Sequence, residues 1–396
     1  MPKEILISIS VMIIFAVFVS LGVATAPGVP AADLIVIPGP ELDSNNPVTE
    51  DDYTVNTEEW NETGREPVFD PAPVEPVKVK GIYVAGAIAG LESSMDELIE
   101  LVEKTELNAM VIDIKDDKGE IVYEMKTPTV IAVGSSRNKV SDMAGLIKKL
   151  KEKGIYPIAR IVVFKDPVLA EADRDLAVRT IKGSIWGDRK GQAWVDPYNP
   201  KVWDYILEIA IAAADLGFRE IQFDYVRFPS DGSTKKIKYP AYDGRSRSDV
   251  IVDFLRFAKE RLKPYGVFVS ADLFGLTTSV TDDMGIGQEI ERIAPIVDII
   301  SPMVYPSHYG PGNYGLADPD AKPYETVYKS ISDAVARVGN TGVIIRPWLQ
   351  DFTLRNSYGA SEVKAQIQAT YDNGLEEWIL WNPRNNYTRS ALKGSD

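Results

Sequence analysis

The stretch REIQFDYVRFP, residues 219–229, decides the fold of this chain. One side of it carries Ile221, Phe223 and Tyr225 and the other carries Gln222 and Asp224, which is the period of two of a β-strand. We expect the apolar side to pack on helices, so Asp224 points into the space that the sheet encloses, where a carboxylate is costly unless it is paired or functional. Pro229 has no N–H to give a sheet and predicts the end of the strand. An acid at the carboxyl end of a buried strand is typical of enzymes built from β/α units.

The chain from residue 78 onward contains eight predicted strands, and a predicted helix follows each of the first seven. Besides the opening stretch, the predicted strands cover residues 80–85, 109–114, 156–163, 267–273, 299–305, 343–349 and 378–381. The predicted helices cover 94–104, 141–153, 200–216, 248–262, 286–293, 324–338 and 362–373. Eight strands alternating with helices predict a (β/α)8 TIM barrel over residues 78–390. A doubly wound open sheet is the alternative, which the absence of Gly-x-Gly-x-x-Gly after the first strand disfavours.

The N-terminus carries an apolar run at residues 5–24, about the length that spans a bilayer as a helix. Residues 1–26 therefore predict either a cleaved signal peptide or an uncleaved signal anchor, and Pro27 after the small-residue site disfavours cleavage. Lys3 before the run favours a cytoplasmic N-terminus. We expect the barrel to be exported and anchored to the cell membrane through this segment, or secreted if the segment is cleaved.

The next segment, residues 27–77, is acidic and rich in proline. It holds nine prolines and twelve acidic residues against one basic residue. Such a composition lacks the apolar periodicity of a core and predicts an extended, disordered linker between membrane and barrel.

The composition also excludes several kinds of site. The chain has no cysteine and one histidine, His308, which excludes disulfides, thiolate zinc sites, cysteine nucleophiles and histidine-rich metal centres. No basic patch stands out, so we expect no nucleic-acid partner. The calcium-like run at residues 113–120 has lysine at its third position, which argues against a cation there. We expect no metal and no cofactor.

Polar side chains recur on the inward face of strand after strand when the same alternation is applied to each. The predicted substrate-binding residues are Asp113, Lys115, Arg160, Gln222, Tyr305, Trp348, Gln350, Trp381 and Asn382, joined at the rim by Arg227 and His308. Trp348 and Trp381 are the predicted sugar-stacking platforms. The structural alternative is that Arg160, Arg346 and Asp113 form a buried ion-pair network inside the barrel.

Asp224 and Asp272 end neighbouring predicted strands at matching depth. Strands lie ~4.7 Å apart, so the two carboxyl groups could sit about 5–7 Å from each other. Glycoside hydrolysis needs such a pair, one as nucleophile or base and one as acid, and their closeness would separate the two pKa values. We assign Asp224 as nucleophile or base and Asp272 as general acid. A metal-dependent barrel hydrolase using Asp113, Asp224 and Asp272 is an alternative.

The motifs resemble those of a known family. FDYVRFP at 223–229, SADLFG at 270–275 and SPMVYP at 301–306 resemble prokaryotic glycoside hydrolases with a TIM-barrel domain that was long catalogued as a domain of unknown function. VIDIKD at 111–116 and WILWNP at 378–383 extend the likeness to about residues 80–387. The resemblance implies acids on the fourth and fifth strands, which here are Asp224 and Asp272.

The expected function is hydrolysis of a polysaccharide or oligosaccharide, with the cell envelope as its source. A carbohydrate-binding or envelope-organising barrel without turnover is the other reading. The sequence does not name the sugar or the linkage.

Overall fold

The computed structural model describes residues 77–395. The segment predicted at residues 1–26 and all but the last residue of the predicted linker lie outside the described residues. No helix between residues 77 and 395 is long and apolar enough to cross a membrane.

Eight parallel strands form the centre of the fold. They are β1 (Lys80–Val84), β2 (Ala109–Lys115), β3 (Tyr156–Val162), β4 (Glu220–Asp224), β5 (Phe268–Phe274), β6 (Ile299–Met303), β7 (Ile344–Ile345 and Trp348–Gln350) and β8 (Trp378–Trp381). Each strand pairs with the next, and β8 pairs with β1 through Lys80 opposite Trp378. This closure confirms the predicted barrel, and the open-sheet alternative is wrong.

Helices follow the first seven strands and cover the outside of the barrel. They are α1 (Glu92–Glu103), α2 (Met143–Glu152), α3 (Pro200–Asp215), α4 (Arg247–Leu262), α5 (Ile290–Ile293), α6 (Pro323–Val338) and α7 (Ala360–Asp372). The helix predicted at 286–293 is shorter than expected because Gly285 and Gly287 have φ values of 67° and 83°. A long loop therefore follows β5 as well as β2, β3, β4 and β6.

Helix α3 shows how local sequence places β4. The Asn199 side chain accepts the Lys201 N–H and Pro200 occupies the first turn, which together start the helix. Gly217, with φ 97°, reverses the chain immediately before β4. Ile221 and Phe223 on β4 are fully buried in the core between sheet and helices, as their alternation predicts.

The barrel interior forms a second, smaller core. Its members include Tyr83, Val111, Ile158, Tyr305 and Trp348. It occupies the lumen of the barrel and separates two charged layers, one near each end of the strands. The layer at the carboxyl end of the strands contains the predicted acids.

Strand β4 ends earlier than the sequence predicted. Tyr225 adopts φ 49°, a left-handed conformation that is unusual for a residue with a side chain, and this ends the strand directly after Asp224. The prediction that Tyr225 continues the apolar outer face and that Pro229 ends the strand is therefore wrong. Backbone strain of this kind is common beside functional residues.

Candidate active site

Asp224 and Asp272 lie at the carboxyl ends of neighbouring strands. Gln222 is opposite Ser270 and Phe223 is opposite Ala271 in the β4–β5 register, so the two acids come next on their strands. Asp224 is 6% exposed and Asp272 is 1% exposed. The predicted pair is brought together at one end of the lumen, where surrounding groups decide what each can do.

Three N–H groups converge on Asp224. Its Oδ2 accepts hydrogen bonds from Arg160 Nε at 3.0 Å and Nη2 at 2.5 Å, and its Oδ1 accepts the Tyr225 N–H at 2.6 Å. Two of these donors belong to the positively charged guanidinium of Arg160, and both bind the same carboxylate oxygen. This arrangement binds an anionic carboxylate and fixes its orientation.

Asp272 lies in an environment of the opposite kind. Its Oδ1 accepts one hydrogen bond, from Trp348 Nε1 at 2.7 Å. Burial and the neighbouring Asp224 charge raise the pKa of Asp272 well above its usual range, against the Trp348 N–H and the Arg160 charge, which act to lower it. Asp272 therefore keeps its proton to a higher pH than an ordinary aspartic acid and is suited to donate it.

Arg160 links Asp224 to a second carboxylate. Its Nη1 donates to Asp113 Oδ1 at 2.6 Å, and the other oxygen of Asp113 accepts the Tyr83 hydroxyl at 2.6 Å. Burial raises the pKa of Asp113, and Arg160 opposes that shift. Tyr83 was not predicted as a site residue, although its inward position on β1 follows the same alternation as Asp113 on β2.

The predicted ion-pair network of Arg160, Asp113 and Arg346 is correct only in part. Arg346 binds Glu220 at 2.8 Å and Glu377 at 2.8 Å near the other end of the strands. The lumen therefore holds two separate charge clusters. The three residues do not form one network.

The Arg160 guanidinium also bears on the metal alternative. It occupies the space between Asp113 and Asp224, where a cation bridging the two carboxylates would lie. No group of three or more acidic or histidine side chains within residues 77–395 is arranged to hold a metal ion. The geometry therefore gives no support to a metal site formed by Asp113, Asp224 and Asp272.

Trp381 and Trp348 play different parts from each other. Trp381 is half-buried, stacks on Tyr83 with ring centroids 4.0 Å apart, and lies 5.4 Å from the Arg160 guanidinium carbon. Trp348 is enclosed in the lumen and donates its indole N–H to Asp272. The prediction of a sugar platform at Trp348 is therefore wrong, and only Trp381 retains an open edge.

Lys115 lies outside the site. The β2–β3 register shifts between Asp113 and Lys115, so that Asp113 is opposite Arg160 and Lys115 is opposite Ile161. This bulge turns Lys115 to the helix side of the sheet, where its ammonium is fully buried and binds Asp166 at 2.8 Å. The prediction that Lys115 shares the inward face of Asp113 is wrong.

Two further predicted contacts are occupied by the backbone of the loops. Gln350 accepts the Ser307 N–H at 3.1 Å and donates to the Phe352 carbonyl at 2.9 Å. Asn382 donates to the Asp351 and Asn386 carbonyls and accepts the Arg384 N–H at 2.8 Å. Both side chains therefore hold loops in place, which contradicts their predicted role as substrate contacts.

The remaining predicted residues lie around the acids. Gln222 is inside the lumen, donating to Ser301 Oγ at 3.2 Å, and its Oε1 has no partner among the described residues. Tyr305 is part of the inner core, and burial with the charges of Asp272 and Asp224 raises its pKa well above the ordinary value. His308 is exposed at the rim beside Ser307, as predicted.

Arg227 is buried directly beyond β4. Its guanidinium carbon lies 4.4 Å from the Phe274 ring centroid, 4.9 Å from that of Tyr225 and 5.0 Å from that of Trp194. The prediction of a residue at the open rim underestimated its burial, because the loop after β3 supplies Trp194 from a distant part of the sequence.

The family described as "Putative glycosyl hydrolase domain" matches residues 81–387, which is nearly the whole barrel. The chain belongs to this family. It is a glycosidase by family membership, as the motifs and the strand-end acids predicted. No curated protein matches the chain.

Several solved structures are similar to the chain. A hypothetical protein from Ruminiclostridium thermocellum ATCC 27405 is 38% identical, with 48% of this chain and 96% of that chain covered and a TM-score of 0.45. The PgaB (BpsB) glycoside hydrolase domain from Bordetella bronchiseptica has a TM-score of 0.59 at 13% identity, covering 81% of this chain and all of that one. The Flavobacterium johnsoniae chitobiase has a TM-score of 0.50 at 13% identity, covering 79% of this chain and 47% of that one. At 13% identity these last two show a shared barrel fold.

Proposed function

We propose that this protein hydrolyses glycosidic bonds in a polysaccharide, with Asp272 as general acid and Asp224 as nucleophile or base. The observation that carries the proposal is the contrast between the two carboxyl groups. Asp224 receives three N–H donors, whereas Asp272 is enclosed and has a raised pKa. Neighbouring acids whose surroundings separate their proton affinities are the pattern of an acid and base pair.

The reaction follows from these roles. Asp272 gives its proton to the oxygen that leaves the anomeric carbon, so the departing sugar is released as an alcohol. Asp224 either bonds to the anomeric carbon or takes a proton from the water that attacks it. Arg160 holds Asp224 in place, and its second bond to Asp113 stops the guanidinium from turning away. Asp113 and Arg160 are positioning residues in this scheme.

The aromatic residues supply the walls of the proposed site. Trp381 offers an open ring edge, and Phe352 is half-buried beside Tyr305 with ring centroids 5.9 Å apart. Sugar rings pack on such faces through their C–H surfaces, which favours a carbohydrate over a small polar substrate. Gln222, Tyr305 and His308 line the same end of the barrel as candidate contacts.

The test is a comparison of Asp224→Asn and Asp272→Asn with the wild-type full chain on a panel of envelope polysaccharides. We expect each variant to lower the release of reducing ends by at least about 100-fold, the range of general acid–base catalysis. Asp298→Asn is the matched control, because Asp298 lies before β6 at the opposite end of the barrel, bonded to Lys259 and the Val269 N–H. Full activity in either active-site variant would refute the assignment.

A second function has one observation in its favour. Asp224 is 6% exposed and Asp272 is 1% exposed, so little of either carboxyl group is open to a sugar. That burial fits a carbohydrate-binding barrel without turnover. Glycan binding with no reducing ends released by the wild-type chain would favour this second function.

We also propose that the barrel is exported and held at the cell membrane by residues 1–26. The support is the apolar run at 5–24 and the acidic, proline-rich segment that follows it. Protease added to intact cells should then degrade the barrel, while alkaline carbonate should leave the full chain in the membrane fraction. Protection of the barrel in intact cells would contradict this location.

A further inference from the structure

Arg227 differs from the other arginines buried in the described part of the chain. Arg160 binds two carboxylates, Asp113 and Asp224, and Arg346 binds two others, Glu220 and Glu377. Arg227 is just as buried, at 7% exposure, yet no carboxylate within residues 77–395 lies at ion-pair distance from it. It is a buried cation without an ion pair among the described residues.

The contacts that Arg227 does make leave part of the guanidinium unbonded. Its Nη1 donates to the Phe228 carbonyl at 3.0 Å and to Ser230 Oγ at 3.2 Å. Its Nε and Nη2 have no acceptor among residues 77–395, and neither atom is fully enclosed. Two adjacent N–H donors therefore face the small exposed area of this residue.

Three aromatic rings surround the cation without replacing an anion. The rings of Phe274, Tyr225 and Trp194 attract positive charge through their faces, but they do not accept the strong, directed bonds of a guanidinium. Burial lowers the pKa of Arg227, although Tyr225 and the more remote charges of Asp224, Asp231 and Asp188 oppose this shift. A buried charge of this kind is normally paired.

The charges of Asp224, Asp231 and Asp188 act on Arg227, but none of these carboxylates forms an ion pair with it. Asp224 is bound by Arg160. Asp117 is bound at 3.1 Å by Lys165, whose ammonium lies 5.0 Å from the same Tyr225 ring that Arg227 contacts. Two cations thus lie near the Tyr225 ring, and no carboxylate of the described residues forms an ion pair with Arg227.

The position of Arg227 relates it to the acids. It follows Asp224 by three residues, and Phe274 follows Asp272 by two residues, so the contact between Arg227 and Phe274 joins the ends of the two strands that carry the acids. A group bound to the free N–H donors would therefore belong to the sugar at the cleaved bond or to its neighbour.

We propose that Arg227 is an anion-binding subsite that receives the carboxylate of an acidic sugar, so that the substrate is a carboxylate-bearing glycan. The planar fork of two N–H groups matches the two oxygens of a carboxylate. This inference rests on the proposed function and names its substrate class. Phe274 and Tyr225 hold the guanidinium plane in place for that contact.

The test measures binding by the full chain of paired oligosaccharides. One pair is neutral cello-oligosaccharides and the same oligomers oxidised to carboxylates at C6. The other is chito-oligosaccharides and glycan strands that contain N-acetylmuramic acid. We expect the acidic member of at least one pair to bind about 10- to 100-fold more tightly, the range of a charge-assisted contact. The preference should weaken as salt is raised.

Two substitutions of Arg227 test whether this residue causes the preference for the acidic sugar. Arg227→Gln should abolish the preference for the acidic sugar, and Arg227→Lys should keep part of it. Arg247→Gln is the matched control, since Arg247 also lies near aromatic rings, 5.4 Å from Phe228 and 6.0 Å from Tyr239, and should leave the preference unchanged. If Arg227→Gln fails to fold, the binding preference of the wild type and its partial loss in Arg227→Lys test the subsite instead.

The outcomes separate this inference from the proposed function. Equal binding of neutral and acidic sugars by the wild type, or an acid preference that survives Arg227→Gln, would overturn the subsite alone. Tighter binding of cello-oligosaccharides sulfated or phosphorylated at C6 than of the C6 carboxylates would overturn the choice of carboxylate. Binding of no sugar in either pair would overturn the proposed function and the subsite together.

Discussion

Replacing Arg160 by glutamine tests the charge cluster around the proposed acids. The change removes three hydrogen bonds, one to Asp113 at 2.6 Å and two to Asp224 at 3.0 and 2.5 Å. It leaves two buried carboxylates without their cation. Breaking a buried pair by removing one partner costs about 3–5 kcal/mol, so we expect the free energy of unfolding at pH 7.5 to fall by about that amount. That is a large part of the stability of a typical domain, about 5–15 kcal/mol.

The size of this loss should depend on pH. Burial already raises the folded-state pKa of Asp113, and loss of the Arg160 charge raises it further. A folded-state pKa above the unfolded value of about 3.9 means that the folded protein binds the extra proton. Stability of the variant therefore declines as pH rises from about 4 through the raised pKa, and the defect is smallest in acid.

Urea denaturation of Arg160→Gln and wild type at pH 4.5 and 7.5 measures both effects. Arg346→Gln is the matched control, because Arg346 also binds two carboxylates but contacts neither proposed acid. Arg346→Gln should lower the free energy of unfolding by an amount comparable to that of Arg160→Gln. In a separate activity assay, its pH–rate profile should keep the wild-type shape. A loss below about 1 kcal/mol for Arg160→Gln at pH 7.5, or an equal loss at both pH values, would refute the reasoning.

Three other substitutions have definite expected outcomes. Asp272→Asn should lower kcat by at least about 100-fold in a reducing-end assay without unfolding the protein, because the amide oxygen still accepts the Trp348 N–H; unchanged kcat would contradict its role as acid. Trp348→Phe removes the N–H donor that favours the ionised form of Asp272, so the pKa of Asp272 should rise further. In a pH–rate profile, the fall in rate on the alkaline side should therefore move to higher pH. A shift to lower pH would contradict this reasoning. Lys115→Met leaves Asp166 buried without its cation and should lower the free energy of unfolding, measured in urea, by about 3–5 kcal/mol. KM should not change, because the Lys115 side chain is on the helix side of the sheet. A raised KM with normal stability would instead show that Lys115 contacts the substrate.

The barrel and the meeting of the acids could be predicted from the sequence because both follow from strand geometry. Alternation fixes which side chains face the lumen, and parallel strands bring their carboxyl ends to one edge. Asp113, Arg160, Asp224 and Asp272 were predicted on this basis, and the structure brings all four to the same end of the barrel.

Errors arose where the backbone departs from regular geometry. The bulge between Asp113 and Lys115 turns Lys115, the last residue of β2, to the other side of the sheet, and no residue type in that run indicates a bulge. The left-handed Tyr225 likewise ends β4 without a glycine or proline to signal it. Helical and strand periodicity cannot detect a change of register within a single strand.

Other errors came from partners that are remote in the sequence. Gln350 and Asn382 have the right position for substrate contacts, but loop carbonyl and N–H groups occupy their side chains. Trp348 has the right residue type for a platform, but it is enclosed beside Asp272. Tyr83 is the converse case, since it was not predicted as a site residue although its hydroxyl binds Asp113. The signal in the sequence was a tyrosine hydroxyl at an inward position near the carboxyl end of β1, where it can bind a neighbouring carboxylate.

The two charge clusters of the lumen have a consequence for how the protein tolerates change. Glu220 and Asp224 are four residues apart on β4, about 13 Å along a strand at ~3.3 Å per residue. Effects of substitutions separated by more than about 7–10 Å, with no shared partner, usually add. The losses in free energy of unfolding caused by a change at Arg160 and by one at Arg346 should therefore add. A stabilising change near the Glu220–Arg346–Glu377 cluster should accordingly offset the cost of a change near Asp224 without altering the proposed acids.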